Sequence, residues 1–276
     1  MKDVFAMWKN TKMVVLVALS AGLYAALLIP FKGFVLIPGI TEIRPASALP
    51  VVMGLLFGPA GAWGSAIGNL IGDFFGSLGI GSLFGFVGNF MFAYVPYKLW
   101  TNLGLVSKND NEPDLKTGRK IGAYVVVSIL GSAACALPIA FGLELLGMVP
   151  FAALGSIITI NNSVPSVFLG IPIMLILYPR IKKWDLLWTD IMDEEDIPVA
   201  GKLSKIGGSV MTVSIIVGLV GGFLAAIGVG QALLYSGFGA GGDVGSAGVL
   251  VIAGIGTAGL IISSFIQSMP KADTEG

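Results

Sequence analysis

The sequence predicts an all-α, polytopic helical membrane protein, on three observations. Mean hydropathy is +0.90. Charged residues make up 12% of the 276 residues, against about a quarter in a soluble domain. The apolar residues come in long runs rather than in alternating or narrow helical stripes, and a run of about 20 is what a bilayer crossing needs.

Taken in order, the runs predict spans at 12–31, 47–57, 59–77, 82–100, 120–142, 156–178, 207–232 and 248–268. The first, in "KNTKMVVLVALSAGLYAALLIPF", exceeds the roughly 7–15 apolar residues of a cleavable signal and reads as a true span. The second and third are divided at Gly58-Pro59, where one helix stops and another can start. The second is short for a crossing, so it is expected to begin earlier, tilt, or turn irregular where protein buries it. The seventh and eighth are Gly-rich and carry almost no polar chemistry. They read as an appended hairpin packed on the core or on a partner, with Asp243 solvated in the connection between them.

Orientation follows from the basic residues. Lys2, Lys9 and Lys12 precede the first span. Lys98, Lys108, Lys116, Arg119 and Lys120 lie around the loop after the fourth. Arg180, Lys182, Lys183, Lys202 and Lys205 follow the sixth, and Lys271 lies in the tail. Of the 16 Lys and Arg, only Lys32 and Arg44 fall on the other side. Both termini are therefore expected in the cytoplasm, in a multi-pass protein of the cell membrane.

Composition also excludes functions. Net charge is zero, so bulk charge implies no nucleic-acid partner. Cys135 stands alone, which rules out an intrachain disulfide, and the chain has no His for a His-based catalytic or metal site. The acidic run Asp193–Asp196 lacks the spaced partner ligands of a metal site, and "VAGKLS" lacks the leading Gly and the Ser or Thr after Lys202 of a phosphate-binding loop. No cofactor is implied.

The polar chemistry concentrates around "GSAIGNLIGDFFG". Gly64, Gly68, Gly72 and Gly76 recur every fourth residue and form a smooth stripe for close helix packing. Ser65, Asn69 and Asp73 form a second stripe about 100° round the helix. A carboxylate near the end of a span is costly unless paired or wet. Glu42 and Arg44 of the outer loop, Asn69 and Asp73 of the third span, Asn89 of the fourth, and Asn161 and Asn162 opening the sixth all fall at one depth on the outer side. That set suits an externally open pocket for a small polar ligand. The structural alternative is that Asp73 pairs with Arg44 while the asparagines join helices. A combination of the two puts Arg44 with one acid at the pocket mouth and the other acid with Asn69 on the ligand.

The stretch "EIRPASALPVVMGLLFGPAGAWGSAIGNLIGDFFG", Glu42–Gly76, resembles the substrate-binding S components of energy-coupling factor (ECF) transporters, in the riboflavin- and queuosine-precursor-like groups. The resemblance covers roughly residues 10–184. It implies a six-helix core at 1–184, with an inside N-terminus, that binds a vitamin or similar micronutrient from outside. It implies partners as well: a transmembrane coupling subunit and two ATPase subunits, the S component itself hydrolysing no ATP and toppling in the bilayer to release its ligand. In that family, small residues of the first helix dock on the coupling subunit. Here Ala18, Gly22 and Ala26 stand at spacing four, with Ala21 and Ala25 beside them, and ordinary packing would use the same residues. The chain departs from the family in its two extra spans, within 207–276. Ligand contacts vary with substrate in the family, so the pocket region transfers and individual contacts do not.

Two segments remain. "SKNDNEPDLKTGRK" reads as a solvated loop. In 185–206 and just before it, Trp184, Leu187, Trp188 and Ile191 recur at helical spacing, which predicts a short amphipathic helix at the cytoplasmic interface. Two other functions compete. A self-sufficient secondary transporter coupling ions through Asp73 or Glu42 would be expected to show internal repeats, and none is evident. A membrane enzyme would need a convergent catalytic set, which the sequence does not display.

Overall fold

The computed structural model describes residues 2–38, 40–107, 110–197, 201–228 and 246–267. Its helices are α1 Lys2–Ala6, α2 Thr11–Leu28, α3 Ala48–Phe57, α4 Pro59–Asp73, α5 Gly81–Asn102, α6 Gly118–Leu145, α7 Phe151–Phe168, α8 Gly170–Lys183, α9 Trp188–Ile191, α10 Lys202–Ile216, α11 Gly222–Ala226 and α12 Ala247–Ile266. A small antiparallel hairpin, β1 Val35–Ile37 with β2 Thr41–Glu42, lies between α2 and α3. The molecule is an all-α polytopic protein, as the composition requires. Among the described residues, five helical stretches are long and apolar enough to cross a membrane: Thr11–Phe31, Gly118–Leu145, Phe151–Phe168, Leu203–Ala226 and Ala247–Ile266.

The other expected spans differ for physical reasons. α5 has 22 residues but is less apolar. It runs through the middle of the bundle, with almost every residue from Gly88 to Trp100 buried, so it has little lipid to satisfy. α3 has 10 residues, about 15 Å of helix, and all of them are buried. Protein, not lipid, covers its ends. It stops at Gly58, whose φ is +55°, and Pro59 then opens α4 at a position where no N–H is needed.

Three expectations are corrected. The third span was to run to Ser77, but α4 ends at Asp73 and the chain turns through Gly76 at φ +151°, so this glycine is outside the packing stripe. The sixth was to be one helix over 156–178. It begins earlier, at Phe151, where Glu144 Oε2 accepts the backbone N–H at 2.6 Å. It then breaks into α7 and α8 at Leu169. Pro172 withholds the backbone donor that the Phe168 carbonyl would take, the Tyr124 hydroxyl donates to Ser166 O at 3.2 Å, and a Cβ on Gly170 would lie 2.2 Å from that hydroxyl. The amphipathic helix around Trp184 shrinks to the four-residue α9, because Leu187 and Ile191 bury into the core while Trp184 stays 62% exposed.

The interior is built on close approaches. α2 is capped by Asn10 Oδ1, which accepts from the N–H groups of Lys12 and Met13 at 3.0 and 3.3 Å. It packs chiefly on the glycine stripe of α4. A Cβ on Gly64 would lie 2.3 Å from Ser20 Cβ, and one on Gly68 2.7 Å from Ala21 O. The appended pair packs on the opposite side, α10 and α12 against α5 and α6, and α11 against α7. Gly218 and Gly256 let its helices meet backbone to backbone. Asp243 lies outside the described residues.

The loop after α5 is not simply solvated. Leu115 is buried at φ +53°, and the Lys120 ammonium, also buried, meets the Asp110 and Asp114 carboxylates. Lys98 likewise lies within α5, 3% exposed, and pairs with Asp3 of α1 at 2.8 Å.

Candidate substrate site

One end of the bundle gathers charge. A 3-10 turn, Ile29–Phe31, extends α2 and delivers Lys32 to the top of α4. The β-hairpin brings Glu42 to the same place, and Arg44 follows as the chain turns into α3. Asn69 and Asp73 stand one turn apart on α4, hence on one face.

These groups form a chain of contacts. Arg44 Nη2 donates to Asn69 Oδ1. Asn69 Nδ2 donates to Asp73 Oδ2 at 3.2 Å. Lys32 Nζ lies 3.2 Å from Glu42 Oε1 and 3.4 Å from Asp73 Oδ1, and it donates to Ser77 Oγ at 2.6 Å. The Ser77 hydroxyl in turn donates to Asp73 Oδ1 at 3.0 Å. Arg44 Nε faces Glu42 Oε1 at 3.5 Å. Glu42, Arg44, Asn69 and Asp73 are all buried. Two cations thus balance two carboxylates. That balance matters, because removing one member of a buried pair typically costs about 3–5 kcal/mol.

The cluster walls a cavity of about 90 Å³. Glu42, Arg44, Asn69, Asp73 and Asn89 line it, with Lys32, Thr41, Ser77 and Ser82 beside them. The facing wall is apolar and includes Ile80, Ile139, Leu143, Met148 and Ile158. Asn89 is oriented from two sides. Its Oδ1 accepts from the Tyr24 hydroxyl at 2.9 Å, and its Nδ2 donates to Gly85 O at 2.8 Å. Thr41 Oγ1 is buried without a hydrogen-bond partner among the described residues. The arrangement can take a small ligand with an apolar body and a polar edge. Its volume is below the ~300–1,000 Å³ of occupied small-molecule sites, so a ligand must spread these walls.

Of the seven residues expected at the pocket, five line it and two do not. Asn161 braces the loop, donating to Glu42 O at 2.7 Å and accepting from Arg44 N at 3.3 Å. Asn162 accepts from Ser47 Oγ at 2.8 Å, deeper in the bundle. Asp73 pairs with Lys32 rather than with Arg44, whose acid is Glu42. Lys32, Ser77 and Tyr24 were not singled out in the sequence. Lys32 had one usable signal, since it and Arg44 are the two cations isolated from the basic end. Among the described residues no three His, Cys, Asp or Glu side chains are grouped to hold a metal.

The small residues of α2 divide. Ala18, Gly22 and Ala26 lie on its exposed face with Val15, Leu19, Leu23 and Leu27, and a Cβ on Gly22 would meet nothing within 4 Å. Ala21 and Ala25, each 4% exposed, belong to the buried face, as does Tyr24.

A family model described as QueT transporter matches residues 14–179, well over half of the chain. The match runs from α2 into α8 and leaves α9–α12 outside. No curated protein and no solved structure matches the chain.

Proposed function

The chain belongs to the QueT transporter family, and from that premise we propose that it is the substrate-binding subunit of an ECF-type importer. It takes a vitamin or similar small micronutrient from outside the cell. It docks on a separate transmembrane coupling subunit through the exposed face of α2. Two ATPase subunits supply the energy, and this chain performs no chemistry on its ligand.

The observation that carries the reading is the charge-balanced cluster of half-buried Lys32 with buried Glu42, Arg44, Asn69 and Asp73 around a cavity at the end opposite most of the basic residues. Because the cluster is neutral overall, the favoured ligand is uncharged, with hydrogen-bonding groups along one edge and an apolar remainder against Ile139, Leu143 and Ile158.

Mass spectrometry of the purified protein tests this directly. A small molecule should co-purify with it, and Asp73→Asn should lower its recovery. The chain alone should hydrolyse no ATP, and uptake should require the coupling subunit and ATPases. Uptake driven by an ion gradient in proteoliposomes holding only this chain would replace the proposal with a secondary transporter.

A further inference from the structure

The appended helices touch the helix that carries one wall of the substrate cavity. A π-turn, Val217–Gly221, joins α10 to α11, and such turns are rare and concentrate at functional positions. Its glycines hold it close to its neighbours. A Cβ on Gly218 would lie 2.8 Å from Gly256 Cα of α12 and 2.9 Å from Leu137 Cδ2 of α6. Leu219 packs on the backbone of α7. A Cβ on Gly155 would be 3.2 Å from Leu219 Cδ1, closer than the 3.6 Å to Ala140 Cβ of α6. One turn on, a Cβ on Gly222 would lie 2.7 Å from the Phe151 ring.

α7 is tied down on either side of this contact. At its start Glu144 accepts the Phe151 N–H. Further on, Asn161 holds Glu42 O and the Arg44 N–H, and Asn162 accepts from the Ser47 hydroxyl. Between these ties lies the turn from Gly155 to Ile158. It is the weak part of the helix. Gly155 lowers helix stability, and Thr159 Oγ1 donates back to Gly155 O at 2.7 Å, a bond that favours bending. Ile158, three residues along, belongs to the apolar wall of the substrate cavity.

α7 also has room beside it. A groove of about 290 Å³ separates Ser156, Thr159 and Ile160 from Leu219, Val220 and Phe223. The neighbouring walls are closed up. Gly64 and Gly68 seat α4 on α2, and a Cβ on Gly88 of α5 would lie 2.6 Å from Ile139 Cδ1 of α6. Close-packed contacts of this kind yield little.

We propose that Leu219 is a positioning residue for the substrate site, a step that rests on reading the Asp73 cavity as that site. A ligand that spreads a cavity of about 90 Å³ moves the middle of α7 first. Leu219, braced by α12 and α6 through Gly218, limits that movement. Through Gly155 it sets how far Ile158 stands from the polar wall. The appended helices thus set the width of the site without touching what binds there.

The test is the rate at which Ile158→Cys, in the Cys135→Ala chain, reacts with a methanethiosulfonate in lipid nanodiscs. Ile158 is 4% exposed, so reaction requires the wall to open. Leu219→Ala should speed it about fivefold or more, because the rate follows the open population. Leu219→Met should restore the slow rate. Val217→Ala, an exposed neighbour on the same π-turn, should change nothing. Hydrogen exchange of Leu219→Ala, with no cysteine added, decides the matter if Ile158→Cys does not fold. Peptides across Gly155–Thr159 should then exchange faster, and those across Gly64–Gly68 should not. Neither readout uses a ligand, so each succeeds or fails independently of the co-purification that tests the substrate site itself. An unchanged rate in Leu219→Ala, or unchanged exchange where Ile158→Cys does not fold, would overturn the proposal. So would a fast rate in Leu219→Met or an equal acceleration by Val217→Ala. Reaction of the fully buried Cys135 in Leu219→Ala would overturn it too, since the whole bundle would then have loosened.

Discussion

Asp73 ends an apolar helix and is 7% exposed, a position where a lone carboxylate would be strongly disfavoured. Lys32, Asn69 and Ser77 make it tolerable. Asp73→Asn keeps the size and removes the charge. It should weaken binding of the co-purifying ligand by about 1.5–3 kcal/mol, the range for a hydrogen bond to a charged group. In thermal unfolding, a double-mutant cycle of Asp73→Asn with Lys32→Gln should show a larger coupling than one with Arg44→Gln, because Lys32 is the direct ion partner. Equal couplings would mean that the cluster acts as one undivided unit. The presence of these acids and amides at one depth was legible in the sequence, because helix periodicity and charge bias fix depth. Their pairing was not. Lys32 reaches Asp73 only after a 3-10 turn, and Glu42 reaches Lys32 only through a short hairpin; no periodic pattern encodes either.

At the scale of elements, α2 has two faces with different duties. Its buried face rests on Gly64 and Gly68, and its other face is bare of described protein. Gly64→Ala would push a methyl against Ser20 and should cost about 1–3 kcal/mol of stability through overpacking, read as a lower Tm in detergent. Gly22→Leu should leave Tm unchanged and abolish co-purification with the coupling subunit. Loss of Tm in Gly22→Leu would assign that face to internal packing instead. The glycine stripe was readable because a four-residue repeat means a face. The ends of elements were less so: α4 stops short, and α7 breaks from α8 where the Tyr124 hydroxyl occupies the space. The loop after α5 also hid a function as a fastener. Hydrogen bonds from the Tyr178 hydroxyl and Lys182 hold the Glu112 carboxyl below the usual glutamate range. This depressed value stabilises the fold above the ordinary glutamate pKa and is lost as pH falls through the folded value. Glu112 is half exposed, so solvent limits the effect to less than about 1 kcal/mol. The Tm difference between wild type and Glu112→Gln should shrink on acidification from neutral pH; a difference that grows would reverse the sign.

For the whole molecule, the two ends of the bundle differ in kind. One holds Lys32 and Arg44, both paired with carboxylates, Arg44 buried and Lys32 half-buried. The other holds exposed Lys9, Lys12, Arg180, Lys183 and Lys205. Moving exposed cations across a bilayer is unfavourable, and loops rich in them stay in the cytoplasm. Cations paired with carboxylates and sheltered by protein carry no such constraint. The substrate site should therefore face outward, with both termini inside. With Cys135, which is fully buried, replaced by Ala, single cysteines can report this. Leu36→Cys sits on the exposed hairpin of the substrate end, and Asn111→Cys on the exposed loop of the basic end. In right-side-out vesicles a membrane-impermeant maleimide should label the first and reach the second only after permeabilisation. The reverse pattern would invert the protein, and with it the uptake direction and the side from which the substrate site fills. Labelling of both without permeabilisation would mean that these two ends do not lie on opposite sides of the bilayer, and the eight-span reading would fall.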